Sequence, residues 1–153
     1  MTRILLRPAV LSDGHFLFSM ASDPEIVQWV GDGKPWSKGK FDSRFSRTLN
    51  AKDTSTPDVP RWFIGTEEDG HAVGLLSLIR RSDHTEIGYW VHPSRWGRGY
   101  AGELITLAGD HTDGFPMVAQ VDRANVASRR VLERAGFTLV DVGDLFVYRC
   151  PPK

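Results

Sequence analysis

Glu86-Ile-Gly-Tyr-Trp-Val-His-Pro-Ser-Arg-Trp-Gly-Arg-Gly-Tyr-Ala-Gly-Glu103 reads as a strand that runs into a glycine-rich turn and then into a helix. Gly97 and Gly99 let the backbone approach an anion closely, and Ala101 and Gly102 keep the first helical turn narrow. The unpaired N–H groups of that turn supply hydrogen bonds and a partial positive charge. A strand, turn and helix of this composition is suited to holding a pyrophosphate.

Outward from this stretch, residues 62–66 and 72–79 predict two strands joined across Glu-Glu-Asp-Gly, a hairpin turn, with the third strand at residues 85–91. Before them lie an opening strand over residues 2–7, closed by Pro8, and two short helices over residues 12–20 and 24–30. Ser12, Ser22 and Asp23 are cap candidates, and Pro24 suits a first turn. Gly31-Asp-Gly-Lys-Pro35 breaks the pattern. Phe41, Phe45 and Leu49 then recur four apart, which predicts a helix over residues 37–49, followed by a polar loop over residues 50–60. After the glycine turn, Leu104, Ile105, Leu107 and Ala108 give a helix over residues 101–111 one side to pack on the sheet. A strand at 117–121 and a helix at 125–135 follow, with Asn125 placed as its cap and Gly136 just past its end. Residues 137–142 and 145–148 close the chain as a hairpin. The order predicts a mixed α/β (α+β) fold with a largely antiparallel sheet.

Composition sets limits on function. At 153 residues, with 41% hydrophobic and 10% aromatic content, the chain suits one domain over residues 1–153. Lys+Arg and Asp+Glu both number 19, so no global basic field draws the chain to nucleic acid or to an anionic membrane. No apolar run approaches the roughly twenty residues that span a bilayer, and no leader pattern opens the sequence, so a cytoplasmic protein is expected. The single cysteine, Cys150, rules out an internal disulfide framework and a multi-cysteine metal site.

Two motifs together resemble the GNAT superfamily of N-acetyltransferases over essentially the whole chain. The first is Trp96-Gly-Arg-Gly99-Tyr-Ala101, which corresponds to the acyl-CoA loop; its first position departs from the superfamily's Gln or Arg. That form, after a strand reading Glu-Ile-Gly-Tyr-Trp-Val, resembles the branch typified by ribosomal-protein N-terminal acetyltransferases. The second is Asn125-Val-Ala-Ser128 leading to Ala-Gly136-Phe137, similar to that branch's Asn-x-x-Ser helix. A lone Gly-x-Gly is weak, but the ordered pair is specific. The resemblance implies a twisted sheet of six to seven strands flanked by about four helices. It also implies acetyl-CoA as co-substrate, no metal, and an acceptor that is a small amine or a peptide or protein N-terminus. The protein itself is expected as a monomer or homodimer.

Aminolysis of a thioester needs a neutral amine, an oxyanion binder and a proton source for the departing thiolate. The resemblance implies pantetheine along backbone near Trp90, Val91 and His92, with the Val91 N–H the oxyanion donor. The pyrophosphate is expected on Trp96, Gly97, Arg98, Gly99, Tyr100, Ala101 and Gly102, with the Arg95 and Arg98 side chains near the phosphates. Asn125 and Ser128 are expected to contact the cofactor. Glu86 is the candidate general base, two pleat steps from Trp90, with His84, His92 and Asp83 as rivals; burial is needed to tune a carboxyl of ordinary pKa near 4.3 upward. Many relatives carry an acid tyrosine where this chain has Leu132, so Ser128 is the candidate acid and Tyr148 a second. Trp29 and Trp36 flank the loop that walls the acceptor site in this fold. Asp32, Asp53 and Asp58 are loop acids able to attract a cationic amine.

A second reading is a non-catalytic acyl-CoA-binding sensor that keeps the glycine cradle and lacks acid and base; Leu132 favours it, Glu86 and Ser128 oppose it. A P-loop or dinucleotide site is excluded, since no Gly-Lys-Ser/Thr follows the glycines and no parallel βαβ series surrounds them.

Overall fold

The computed structural model describes residues 3–51 and 56–152. In chain order these form β1 (Ile4–Pro8), α1 (Gly14–Ala21), α2 (Pro24–Val27), α3 (Lys38–Asn50), β2 (Pro60–Glu67), β3 (Ala72–Arg80) and β4 (Thr85–Val91). Then come α4 (Tyr100–Ala108), β5 (Met117–Asp122), α5 (Val126–Arg134), β6 (Thr138–Val142) and β7 (Leu145–Cys150). The strands make one sheet in the order β1-β2-β3-β4-β5-β7-β6, antiparallel at every junction except β4 with β5. Seven strands and five α-helices among the described residues bear out the predicted α/β class and its mostly antiparallel sheet.

The sheet is covered on both faces, and β3 shows why in its sequence. Val73, Leu75, Leu76 and Leu78 are all buried, so the strand reads as a continuous apolar run rather than an alternation. On one face Leu76, Leu78 and Ile87 pack with Leu104 and Ile105 of α4, Leu132 of α5 and Tyr148 of β7. On the other, Leu75, Trp62 and Ile64 pack with Leu17, Trp36, Phe41 and Phe45. A fully buried Leu or Ile stabilises by about 1.5–3 kcal/mol, so α4 is held chiefly by Leu104 and Ile105, which are 0% and 1% exposed.

Local signals act as their chemistry dictates. The Ser37 side chain accepts the Lys40 N–H at 3.1 Å and starts α3, whose Phe41 and Phe45 face the sheet. The Asn125 side chain accepts the Ser128 N–H at 3.3 Å and starts α5. The helix predicted over residues 24–30 is shorter, because Val30 N–H turns back to the Val27 carbonyl and Gly31 and Gly33 take positive φ of 53° and 75°. No helix among the described residues is long and apolar enough to cross a membrane.

Candidate active site

The parallel junction between β4 and β5 is brief. It pairs Thr85 with Met117 and Glu86 with Val118 and goes no further, while β5 stays paired with β7 along its whole length. The two strands therefore splay apart beyond Glu86. His92 N–H donates to the Val73 carbonyl at 2.8 Å, which sets the even-numbered residues of β4 to bond with β3 and turns the odd-numbered ones toward β5. Thr85 N–H, which donates to the Pro116 carbonyl at 2.8 Å, fits that pattern. Past the end of the ladder the N–H groups of Tyr89 and Val91 face the gap without a strand partner. The Val91 carbonyl is taken by the Trp96 indole N–H at 2.7 Å, so at Val91 this edge presents a donor alone.

A cavity of about 730 Å³ occupies the splay. Its lining takes in both Gly88 and Trp90, which point to one face of the sheet, and Ile87 and Tyr89, which point to the other. On the α5 side it meets Asn125 and Ser128; on the α3 side it meets Trp29, Trp36, Trp62, Arg44 and Arg47. Its floor on that second side is Gly88 and Ser77, the former without a side chain. Trp36 stands edge-on to Trp90 with ring centroids 5.4 Å apart. Both tryptophans expected at the acceptor site thus line one cavity with the strand.

Tyr89 was not singled out from the sequence, where it is one aromatic among several in a strand. Its hydroxyl lies 2.5 Å from Ser128 Oγ, and burial raises its pKa above the ordinary phenol value, outweighing the opposing hydrogen bond from Ser128. It is therefore a neutral hydroxyl at neutral pH, next to the serine that the sequence marks as the acid. The other acid candidate lies elsewhere: Tyr148 is wholly buried, donates its hydroxyl to Glu133 Oε2 at 2.8 Å and accepts from Arg129 Nε at 3.2 Å, away from the cavity. Leu132 is buried in the core beside it.

Glu86 lies on the cavity's sheet face one repeat from Gly88 but outside the lining, half-buried, with Arg81 Nη2 3.1 Å from its Oε2. Arg81 in turn meets Asp58 at 2.7 Å. Among its rivals, His84 and Asp83 pair with each other at 2.6 Å, and His92 stacks on Phe16 and holds Ser94 at 2.8 Å. Neither Asp32 nor Asp58 lines the cavity. Asp32 accepts the Lys34 N–H at 3.0 Å in a local turn, Asp58 faces Arg81, and Asp53 lies outside the described residues.

Beyond β4 the glycine turn takes the conformation its sequence calls for. Gly97 and Gly99 have φ of 77° and 79°, and Gly99 caps α4. Glu103 N–H makes the helix's first backbone bond, to the Gly99 carbonyl, so the N–H groups of Tyr100, Ala101 and Gly102 have no acceptor within the helix. A Cβ at Gly97 or Gly102 would meet nothing within 4 Å, which leaves open space over the turn for an anion. Residues of this kind fit a pyrophosphate held by backbone.

Glu67, at the end of β2, anchors the turn from beneath, a role no local sequence signal carries. It accepts from Arg95 Nη2 at 3.0 Å and from the Tyr100 hydroxyl at 2.6 Å. The Tyr100 bond above all holds the Glu67 carboxyl below its usual range. Arg95, expected near the phosphates, thus turns its guanidinium inward, while Arg98 is half exposed and approaches Glu67 only at 4.0 Å. Glu103, an acid in the first turn of an anion-binding helix, is covered by Arg3 at 2.7 Å.

The family profile described as Acetyltransferase (GNAT) domain matches residues 3–138. The FsC-acetyl coenzyme A-N(2)-transacetylase of Aspergillus fumigatus is 28% identical over 153 aligned residues, which take in 91% of this chain and 64% of that protein. The chain therefore spans less than two thirds of that curated relative. Among solved structures, the spermidine N-acetyltransferase of Vibrio cholerae with CoA and spermine superposes with a TM-score of 0.78 at 17% identity, covering 96% of this chain and 93% of that one. AAC(6')-Ib with ribostamycin and coenzyme A superposes with a TM-score of 0.79 at 16% identity, covering 99% and 94%. At such identities the likeness to the solved structures is one of fold.

Proposed function

The chain belongs to the acetyltransferase (GNAT) family, and from that premise we propose that it moves an acetyl group from acetyl-CoA to a primary amine, both substrates bound together. The observation that carries the proposal is the cavity that passes through the splay, lined from both faces of the sheet. Such an opening lets a donor and an acceptor meet at β4 from opposite sides. A transacetylase among the curated relatives, and a spermidine N-acetyltransferase and a ribostamycin complex among the structural ones, support a small-molecule amine as acceptor.

Acetyl-CoA, when bound, supplies an acetyl group activated as a thioester. The Tyr100, Ala101 and Gly102 N–H groups and the Arg98 side chain hold the pyrophosphate, and the N–H groups of Tyr89 and Val91 hold the pantetheine arm and polarise the carbonyl. Attack by the neutral amine forms the C–N bond and breaks the C–S bond. The amine nitrogen gives a proton to water held by Glu86, and the departing sulfur receives one from Ser128, which Tyr89 re-supplies; solvent returns a proton to the Tyr89 phenolate once the products leave, which balances the one released at the amine. The charge that develops is met by donors already fixed in place. We propose further a kinship with the branch typified by ribosomal-protein N-terminal acetyltransferases, which the Trp96-Gly-Arg-Gly-Tyr-Ala turn and the Asn125-to-Ser128 start of α5 support.

The test is calorimetric titration with acetyl-CoA beside a thiol-release assay over small amines and short peptides, on the wild-type protein and on Gly99→Val. A valine at φ of 79° is strained and presses on the Arg3 guanidinium, so the turn that presents the N–H groups must shift. Wild-type binding with thiol release, and loss of binding in the variant, is the expected result; equal affinity in the two proteins overturns it. Binding with no release across the panel favours the sensor reading instead.

A further inference from the structure

The acceptor half of the cavity carries a charge that the proposed reaction does not use. The charged residues that line the cavity are Arg44, Arg47 and Asp122. Asp122 sits at the end of β5 beside Asn125, with its Oδ1 occupied by the Ala124 N–H at 2.9 Å. The two arginines lie three apart on α3 and so share one side of it. Among the described residues neither meets a carboxylate, and the one acid within α3, Asp42, is taken by Lys38 at 2.8 Å. Arg44 is also held in place: its Cζ lies 4.6 Å from the Trp36 ring, with the Lys40 ammonium 5.1 Å from the same ring. The acceptor wall is therefore cationic, and it repels a polyamine.

We infer that the acceptor is a compact primary amine that also carries a carboxylate, an apolar α-amino acid or its close analogue, gripped by Arg44 and Arg47. The guanidinium fork matches a carboxylate in two parallel hydrogen bonds, which a point charge does not. Trp36 contacts both Arg44 and Trp90, so one indole links the anion grip to the strand where transfer takes place. That spacing suits an amine and a carboxylate a few bonds apart. Ile26, Trp29, Val30 and Ile79 surround the remaining space and suit an apolar side chain. The inference deepens the acetyl-transfer reading and rests on it for the reaction, though not for the grip.

The experiment compares paired acceptors that differ in the carboxylate alone, L-phenylalanine with phenethylamine and L-leucine with 3-methylbutylamine, and adds spermidine. Within each pair kcat/KM is expected to be at least ten-fold higher for the amino acid, with spermidine below both. In Arg44→Gln/Arg47→Gln that ratio falls toward one, and in Arg44→Lys/Arg47→Lys part of it returns, since charge is kept and the fork is lost. A second readout needs no turnover: N-acetyl-L-phenylalanine quenches the tryptophan fluorescence of the wild type at concentrations where N-acetylphenethylamine does not, and circular dichroism checks that the variants are folded. A pair ratio of one or less, preference for spermidine, or an unchanged ratio in the glutamine variant overturns the inference and leaves the acetyl-transfer reading standing. Absent acetyl-CoA binding overturns that reading, and arginine-dependent quenching then still upholds the grip.

Discussion

The Tyr89 hydroxyl and Ser128 Oγ lie 2.5 Å apart across the splay between β4 and β5, joining a strand to the third residue of a helix thirty-nine positions later. The strand side of this pair faces the core packed by α4 and α5, and both residues line the cavity. A serine hydroxyl alone is a weak acid in reach of a thiolate; with a buried neutral phenol behind it, the proton given up is replaced without a water having to enter.

Ser128→Ala is therefore expected to lower kcat by ten- to a thousand-fold, the range for one acid–base group, with acetyl-CoA affinity changed little. Tyr89→Phe is expected to lower kcat less and to cost about 1 kcal/mol of stability for the lost hydrogen bond. Because burial raises the folded pKa of Tyr89 above the unfolded value near 10, the folded state holds this proton more tightly. That contribution is fully present below pH of about 10 and is lost as pH rises through the folded value. Denaturant melts of wild type and Tyr89→Phe at pH 8 and above 10 measure it, and the difference between the two proteins should shrink at the higher pH. Full turnover in Ser128→Ala would move the acid elsewhere.

Gly88→Val is expected to block the acceptor and spare the donor. A Cβ at Gly88 meets only the Ser77 Cβ, at 3.9 Å, so the backbone accepts a side chain without strain. Valine suits a strand, and the change is expected to leave stability equal or raised by roughly 0.5–1 kcal/mol. The isopropyl group then stands on the cavity floor in front of Trp36. Steady-state kinetics should show acceptor KM raised at least ten-fold, and calorimetry an unchanged acetyl-CoA affinity; unaltered acceptor KM would place the amine in another part of the molecule.

What the sequence made legible and what it hid divide along a physical line. The bounds of β4, the Asn125 cap and the glycine turn depend on residues within a few positions of one another, and the sequence reading of each matches the fold. The site's charge could not be read that way. Glu67 reaches Arg95 and Tyr100 from twenty-eight and thirty-three positions away, and Arg81 reaches Asp58 and Glu86 together. Loop acids looked like the natural attractor of an amine, yet local turns and arginines consume Asp32 and Asp58, while the cavity takes its charge from α3. On that helix Arg44 lies next to Thr48 around the helical wheel, just outside the buried stripe of Thr48, Phe41 and Phe45, a hint that periodicity gives only once the stripe's partner is known. Tyr148 likewise looked available on an end strand until Glu133 and Arg129 of α5 closed over its hydroxyl.

Two arginines of the glycine turn look alike in sequence and differ in the fold. Arg95 gives both Nε and Nη2 to Glu67 Oε1, at 3.2 and 3.0 Å, and braces the turn, whereas Arg98 is half exposed and comes to Glu67 only at 4.0 Å. Arg98→Gln is expected to weaken acetyl-CoA binding about three- to ten-fold, with the loss shrinking as salt is raised, because an exposed charge is screened. Arg95→Gln is expected to lower thermal stability and to show little salt dependence in its effect on binding. Calorimetric titrations of both variants at low and high ionic strength separate the two roles, and equal salt slopes would erase the distinction.

Gly74 gives the opposite case to Gly88, one strand away. Its partner in the register is Val91, and a Cβ built there would lie 2.3 Å from the Trp90 carbonyl oxygen and 3.3 Å from the Val91 Cα. Both are backbone atoms, which cannot swing aside as a side chain does, so β4 itself must move. Gly74→Ala, the smallest possible substitution, is therefore expected to destabilise by about 1–3 kcal/mol, as overpacking of a close-packed core does. For a chain of this size each kcal/mol lowers Tm by about 2–4 °C. The same displacement carries the Val91 N–H away from the splay, so acetyl-CoA affinity should fall together with Tm. A scanning-calorimetry trace and a binding isotherm on one preparation test both at once. An alanine tolerated at Gly74 with Tm unchanged would mean that β3 and β4 lie farther apart at this point than their register requires.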